Sequence, residues 1–479
     1  MSGRARWARP SRGERLHPRL DVALLSVHSR AEARRSVPTA SGPPLLDPAL
    51  RREFRRLALI NVLSNLTVPL AGLADTAMLG RQPGAIDLAG VALAGLLFDL
   101  LYFGLGFLRM GTTGPVAQAH GRGDDRAQAE LLARGGALAV VLGLLVVAAS
   151  RPLEHLTFSL LSGTALVEQA GAEYLRARIW AAPATLLNMV LLGWFLGRSQ
   201  SGRALMVTAV ANAVNILGNA LFILALGMGA AGAGLATALG QVCGSIVALA
   251  LLRGQIAGGL RLERLRDRRA LITMFSLQRD IFVRTICLLV AFTLFTELSA
   301  RLGTVVLAAN AVLLRVVSVG SYWIDGLAYA TETLVGRLHG AGDPRARHQL
   351  LRWAASAGLG SALAIALPTA LAPDLLLGWL IEEQSVRALL ATIAPWLVPV
   401  LGLGSVAYVL DGYFLGLSAG RRLRDSMLLS LAGFLPVALA GWRLDSVHGL
   451  WLAMTVLMAA RALTLGLPAW RKGPAARTS

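Results

Sequence analysis

AHGRGD occupies residues 119–124, and LHGAGD occupies residues 338–343. Four of the six positions are identical, and Gly340 lies 219 positions after Gly121. A second pair keeps that spacing. GWFLGRS starts at Gly193 and GYFLGLS at Gly412, again 219 apart, with five identities in seven. Two separate matches at one offset predict a duplicated chain. The plain alternative is a shared bias for small residues at helix ends.

Between these motifs the chain is apolar. Its 479 residues are 55% hydrophobic and 15% charged, where an average soluble protein carries about 25% charged residues. The charges fall in short bursts between runs long enough to cross a bilayer, whose core of about 30 Å takes roughly 20 helical residues. Twelve such runs begin near Leu57, Leu88, Leu131, Tyr174, Leu205 and Ala231, then near Asp280, Leu307, Leu350, Val386, Met427 and Val447. This predicts an all-α polytopic membrane protein with twelve transmembrane helices in two pseudo-symmetric six-helix lobes. An even number of spans per half inserts both halves the same way round, about an axis along the membrane normal. A cavity is then expected between them near the midplane.

Arginine placement orients the chain. One set of alternate loops holds Arg122, Arg126, Arg134, Arg198 and Arg203, a cluster from Arg253 to Arg279, then Arg337, Arg345, Arg347, Arg421, Arg422 and Arg424. The other set holds Arg81, Arg151, Arg301, Arg387 and Arg443. That asymmetry predicts both termini on the cytoplasmic side. The expected organisation is a disordered basic tail over 1–46, a first lobe over 47–254 and a basic cytoplasmic linker over 255–279. A second lobe over 280–470 and a short tail over 471–479 follow.

Several function classes drop out. The net charge is +19, but the arginines lie between hydrophobic runs and not on one soluble face, so no nucleic-acid partner is expected. The only lysine, Lys472, follows Arg471 and precedes Gly473, which rules out a Walker A loop. The seven histidines form no HExxH, and Cys243 and Cys287 both lie in predicted spans. No metal, cofactor, catalytic group or enzyme activity is expected. Pumping would have to run on an ion gradient or on another chain's ATPase.

Polar residues inside the spans carry the rest. Asp75 is the one charged residue in the run Leu57–Leu79, where a carboxylate costs a few kcal/mol or more. Asn61, Ser64, Asn65, Gly72, Asp75 and Thr76 share an arc of about 120° on that helix. Thr208, Asn212, Asn215 and Asn219 stripe the fifth span; Thr237, Gln241 and Ser245 stripe the sixth. Such stripes face protein or water, and interhelical hydrogen bonding is the bland account of the amides and hydroxyls. A lone carboxylate is poor glue and a good proton or cation site. Asp411, Asp325, Glu332, Asp99 and Glu297 are further intramembrane acids, and Arg109, Arg284 and Arg315 lie in or beside spans. Arg284 follows Asp280 by four residues, so a local ion pair is expected. Under the repeat Asp75 maps to Leu294 and Asp411 to Leu192, so each half keeps its own acid in a different helix.

These residues resemble the multidrug and toxic compound extrusion (MATE) transporters, specifically their DinF-type branch. The resemblance runs from about Leu57 to the C-terminus. It rests on LSNLTVPLAGLADTAMLG, FLRMGTTGPVAQAHG, APATLLNMVLLGWFLG, LQRDIFVRT, LAANAVLLRV, DGLAYATETLVGRLHGAGD and LDGYFLG. It implies the same twelve helices in two lobes. The family's first-helix acid falls on Asp75, its cation or proton network on Asn215, Asn219 and Thr237, and its carboxyl-lobe acid on Asp411. Two departures stand out. Asn219 occupies a position where many members have Asp, which favours protons over sodium. Ile60 stands where many place Pro, leaving Pro69 as the candidate hinge of the first helix.

The expected function is secondary active efflux, an antiporter driven by a proton gradient and exporting amphipathic, cationic compounds across a bacterial inner membrane. A proton taken up at Asp75 would change its partners, bend the first helix and weaken substrate binding. Asn61, Asn65, Asn188, Asp325 and Asp411 are the candidates for the substrate cavity. The expected partners are a small amphipathic molecule and the lipid bilayer, with the chain acting as a monomer. The alternatives are a sodium-coupled antiporter and a lipid-linked saccharide flippase of the same superfamily, which would need a basic cavity.

Overall fold

A computed structural model describes residues 47–81, 85–161, 163–255 and 265–471. The tail over 1–46, the linker stretch 256–264 and residues 472–479 lie outside the described residues. Every regular element among the described residues is helical. Twelve spans follow in chain order. They are α1 (Pro48–Leu79), α2 (Ile86–Gly121), α3 (Asp125–Ala148), and α4, a pair bent by 55° (Ala165–Ile179 and Ala182–Gly197). Next come α5 (Ser201–Ala225), α6 (Gly229–Leu252), α7 (Arg268–Arg301) and α8 (Thr304–Gly340). The chain finishes with α9 (Pro344–Leu371), α10 (Gln384–Gly416), α11 (Gly420–Arg443) and α12 (Val447–Trp470).

One boundary moves. Residues 268–279, expected in the linker, are the first turns of α7, which Asp267 caps by accepting the Arg269 backbone N–H at 2.9 Å. Basic composition alone predicts a loop there. Arginine is a good helix former, and a capped start outweighs its charge.

The repeated motifs have a structural meaning. Gly123 and Gly342, with φ of 71° and 75°, end α2 and α8 in the left-handed region that glycine adopts freely. The following Asp124 and Asp343 cap α3 and α9, each accepting a backbone N–H at 2.9 Å. The second motif supplies close approach. A Cβ at Gly193 would stand 2.6 Å from the Arg109 carbonyl oxygen, and one at Gly412 would stand 2.3 Å from that of Ala328. Gly197 and Gly416 meet the Thr113 and Glu332 carbonyls in the same way. Each of these four contacts maps onto its counterpart at the offset of 219. Gly121 against the Arg337 carbonyl and Gly340 against the Gln118 carbonyl are also exchanged by the offset, and they join the two halves.

Core packing gives the shape. The connections after α2, α4, α6, α8 and α10 lie at one end of the bundle, together with the start of α1; this is the arginine-rich, or basic, end. There all twelve spans share a single apolar core, from Phe54 and Leu108 in the first half to Leu334 and Phe414 in the second. Toward the opposite end the core divides in two. One part holds only first-half residues such as Phe98 and Leu175, and the other only second-half residues such as Phe295 and Trp451.

One face of α8 traces the parting of the lobes. Arg337 ion-pairs with Glu53 of α1 at 2.5 Å, and Thr333 donates to the Leu196 carbonyl of α4 at 3.0 Å. Gly326 then packs on Val62 of α1. Tyr322, Val319 and Arg315 continue within about 60° of the same helical face, and all three are exposed. The lobes therefore meet at the basic end and separate toward the other.

Gly340→Val tests this closure. Its Cβ would lie 2.1 Å from the Gln118 carbonyl oxygen. The variant is expected to lose about 3 kcal/mol of stability, the upper part of the usual overpacking cost, read as a lower unfolding midpoint in detergent.

Candidate functional site

Two polar clusters sit inside the lobes. The first joins α1 to α5 along one seam. Ser64 meets Thr208 at 3.4 Å, and Asn212 donates its amide to Thr67 at 2.9 Å. Farther along, the Asn219 amide N–H donates to the Asp75 carboxylate. A turn away, Asn215 donates to the Thr237 hydroxyl of α6 at 3.1 Å, and that hydroxyl donates to the Ala233 carbonyl at 3.0 Å. The four residues expected to form the coupling site are thus brought together. Ser64, Thr208 and Asn212 are the interhelical glue of the bland account.

The site is under-satisfied. Asn219 is fully buried and Asn215 nearly so, and neither side-chain carbonyl oxygen has a hydrogen-bond partner. Buried amide oxygens left in that state cost about 1–3 kcal/mol each. Asp75 is half-buried, turned toward α5, and feels the charge of Arg178, whose guanidinium lies 4.3 Å from the Phe98 ring centroid. Two irregularities flank the site. Pro69 lies inside α1 and cannot donate to the Asn65 carbonyl four residues back. Immediately after Asn219, α5 changes to a π-helix over Ala220–Ala225. Such turns recur at functional sites because their hydrogen-bond register can shift.

The second cluster belongs to the other lobe. Asp411 of α10 is buried and holds two arginines, Arg284 of α7 and Arg461 of α12, the latter at 2.5 Å. The expected Asp280–Arg284 pair does not form. Asp280 instead takes Arg424 of α11 at 2.8 Å and Arg279 at 3.0 Å. Arg109 of α2 reaches Glu332 of α8 at 3.5 Å.

The cavity candidates divide. Asn65, on the edge of α1 that faces α8, donates to the Tyr322 carbonyl across the lobes at 3.1 Å. Asp325 is half-buried on α8, near Arg109, Arg284 and Arg461. Asn61 is buried, with its amide nitrogen unpartnered. Asn188 is buried too. It donates to the Gln241 carbonyl at 2.8 Å and accepts from Ser245 at 2.9 Å, tying α4 to α6. Asp411 is consumed by its two arginines. Asn188, Asn61 and Asp411 therefore sit inside helix packing and not on an open wall, because a stripe of polar residues marks a buried face as well as a wet one. Sequence reading missed Arg461. Its signal was there, an arginine fourteen residues into the last span with no nearby acid in the chain.

Twelve spans and two repeat-related lobes parted at one end, each lobe holding an intramembrane carboxylate bonded across helices, define a two-lobed membrane transporter. The chain belongs to the MatE family, whose model matches it twice, over residues 61–221 and 281–441, one match in each half. It is 34% identical to DNA damage-inducible protein F of Escherichia coli strain K12, over 87% of this chain and 91% of that protein. It is 27% identical to Probable multidrug resistance protein NorM of Rhizobium meliloti strain 1021, over 83% of this chain and 87% of that one. Among solved structures, a MATE protein in the bent conformation superposes with a TM-score of 0.80 at 19% identity, over 88% of this chain and 94% of that chain. The last likeness bears on the fold alone.

Proposed function

We propose that this protein exports amphipathic compounds across a bacterial inner membrane by proton antiport, with both termini cytoplasmic and Asp75 as the proton carrier. One observation carries the reading. A carboxylate that only accepts faces a buried amide whose own oxygen lacks a donor. Protonation gives Asp75 one O–H to donate, and the adjacent Asn219 carbonyl oxygen is the acceptor that needs it. Carboxylic acid and amide then pair through two hydrogen bonds. The change pulls on α1 beside Pro69 and on α5 where its π-turn begins.

With the basic end cytoplasmic, the parted lobes form a cleft open to the outside. Proton uptake there would favour release of the substrate, and proton loss after the lobes rock would favour rebinding from inside. Coupling requires proton and substrate to prefer different states, since equal preference shifts nothing. The drug-export part of the reading draws support from the multidrug resistance name that the Rhizobium meliloti relative bears.

A second reading has an observation of its own. The unpartnered Asn215 oxygen is not reached by a proton on Asp75, and with Asn219 and Asp75 it could serve sodium, a hard cation that takes oxygen ligands. The flippase reading is weakened, because Arg109 and Arg284 face acids and leave only Arg315 of the three on the cleft-side face of α8. Ethidium uptake into proteoliposomes separates the cases. Transport under an imposed pH gradient without sodium is the expected result. Transport only with sodium would move coupling to the cation, and none under either gradient would revive lipid-linked substrates.

A further inference from the structure

α8 carries Asp325, Tyr329 and Glu332 at i, i+4 and i+7. These positions share about 60° of the helix surface and span about 10 Å along its axis. Arg109 stands over the middle one, with its guanidinium carbon 4.0 Å from the Tyr329 ring centroid. Toward the basic end it meets Glu332 at 3.5 Å, a loose contact. Glu332 is wholly buried with Thr113 also beside it, and neither of its oxygens nor either terminal nitrogen of Arg109 makes a well-aligned hydrogen bond. On the other side of the ring, Asp325 feels the charge of the same arginine. Arg109 comes from the first lobe and its three neighbours from the second. Rocking of the lobes would therefore shift the cation relative to this stripe.

We propose that Arg109 is a sliding latch between the lobes, paired with Glu332 while the basic end is closed and with Asp325 when that end opens. The proposal rests on the alternating-lobe part of the function above, and not on the proton site. A buried ion that loses its partner is strongly destabilising, so a gate closed by a single ion pair would open against that penalty. A second acid farther along, with an aromatic face between them, keeps the cation partnered throughout. Two discrete pairings on one helix make a bistable element of the kind that steps one element past another. The surroundings fit the exchange. Asp325 also feels Arg284, Arg461 and Asp411, so three cations and three acids balance around the track. Glu332, the partner given up, lies nearer the end that opens to water.

Spin labels at Arg126→Cys and Arg345→Cys, both exposed at the basic end of opposite lobes, would report the gap in a protein carrying Cys243→Ala and Cys287→Ala. Glu332→Gln is expected to move the ratio of long to short distances about tenfold toward long, and Asp325→Asn about tenfold toward short. Asp325→Glu, which keeps the charge and reaches farther, should move it toward long. In an Arg109→Ala background none of the three should matter. Shifts of Glu332→Gln and Asp325→Asn in one direction, or two distances that no substitution moves, would overturn the latch alone. A single short distance in the unsubstituted protein at every pH would overturn the alternating lobes and the latch together.

Discussion

Asp411→Asn lowers the unfolding midpoint of the detergent-solubilised protein by roughly 5 °C or more, because breaking a buried charge cluster costs about 3–5 kcal/mol. The substitution is nearly isosteric, so packing is preserved and electrostatics decides the outcome. Arg284 and Arg461 both direct guanidinium groups at this one carboxylate, and Arg461 is 1% exposed. Removing the negative charge leaves two buried cations facing an amide. Arg461→Met should cost less, since Asp411 keeps Arg284 and a flexible apolar chain refills the space. The order of the two midpoints is the test. If Asp411→Asn kept its stability and lost only transport, Asp411 would belong to the coupling chemistry after all.

Asp75→Asn should behave the other way. An amide at position 75 presents one donor and one acceptor, as the protonated acid does, and can pair with Asn219 in the same geometry. The variant therefore imitates one protonation state permanently. Its unfolding midpoint should stay within a few degrees of the unsubstituted protein, while ethidium transport driven by a pH gradient falls to the level of empty liposomes. Partial transport with an unchanged dependence on the gradient would place the proton elsewhere.

The repeat was legible because duplicated turns keep their glycines and caps. Gly123 and Gly342 need a left-handed backbone, Asp124 and Asp343 cap the next helices, and Gly193 and Gly412 sit against carbonyls. These demands are local, so they write themselves into short strings. The Asp75 site was also readable, because α1 and α5 each stripe their polar residues along one face. Pairing across the fold was not. Arg284 and Asp411 are 127 residues apart, and Arg461 and Asp411 are 50 apart. The helical i, i+4 rule pointed Arg284 at Asp280. That acid lies one turn nearer the basic end, where Arg279 and Arg424 reach it first. Nor could periodicity tell Asn188, bonded inside helix packing, from Asn65, which bridges the lobes, because both sit on polar faces.

Competition of substrate and proton through Asp75 underlies the proposed antiport. It is tested most directly by proton release when ethidium binds the purified protein in weakly buffered, sodium-free detergent solution. Up to about one proton is expected to be released per ethidium bound, and none from Asp75→Asn. Binding without release from the unsubstituted protein, or equal release from the variant, would contradict it.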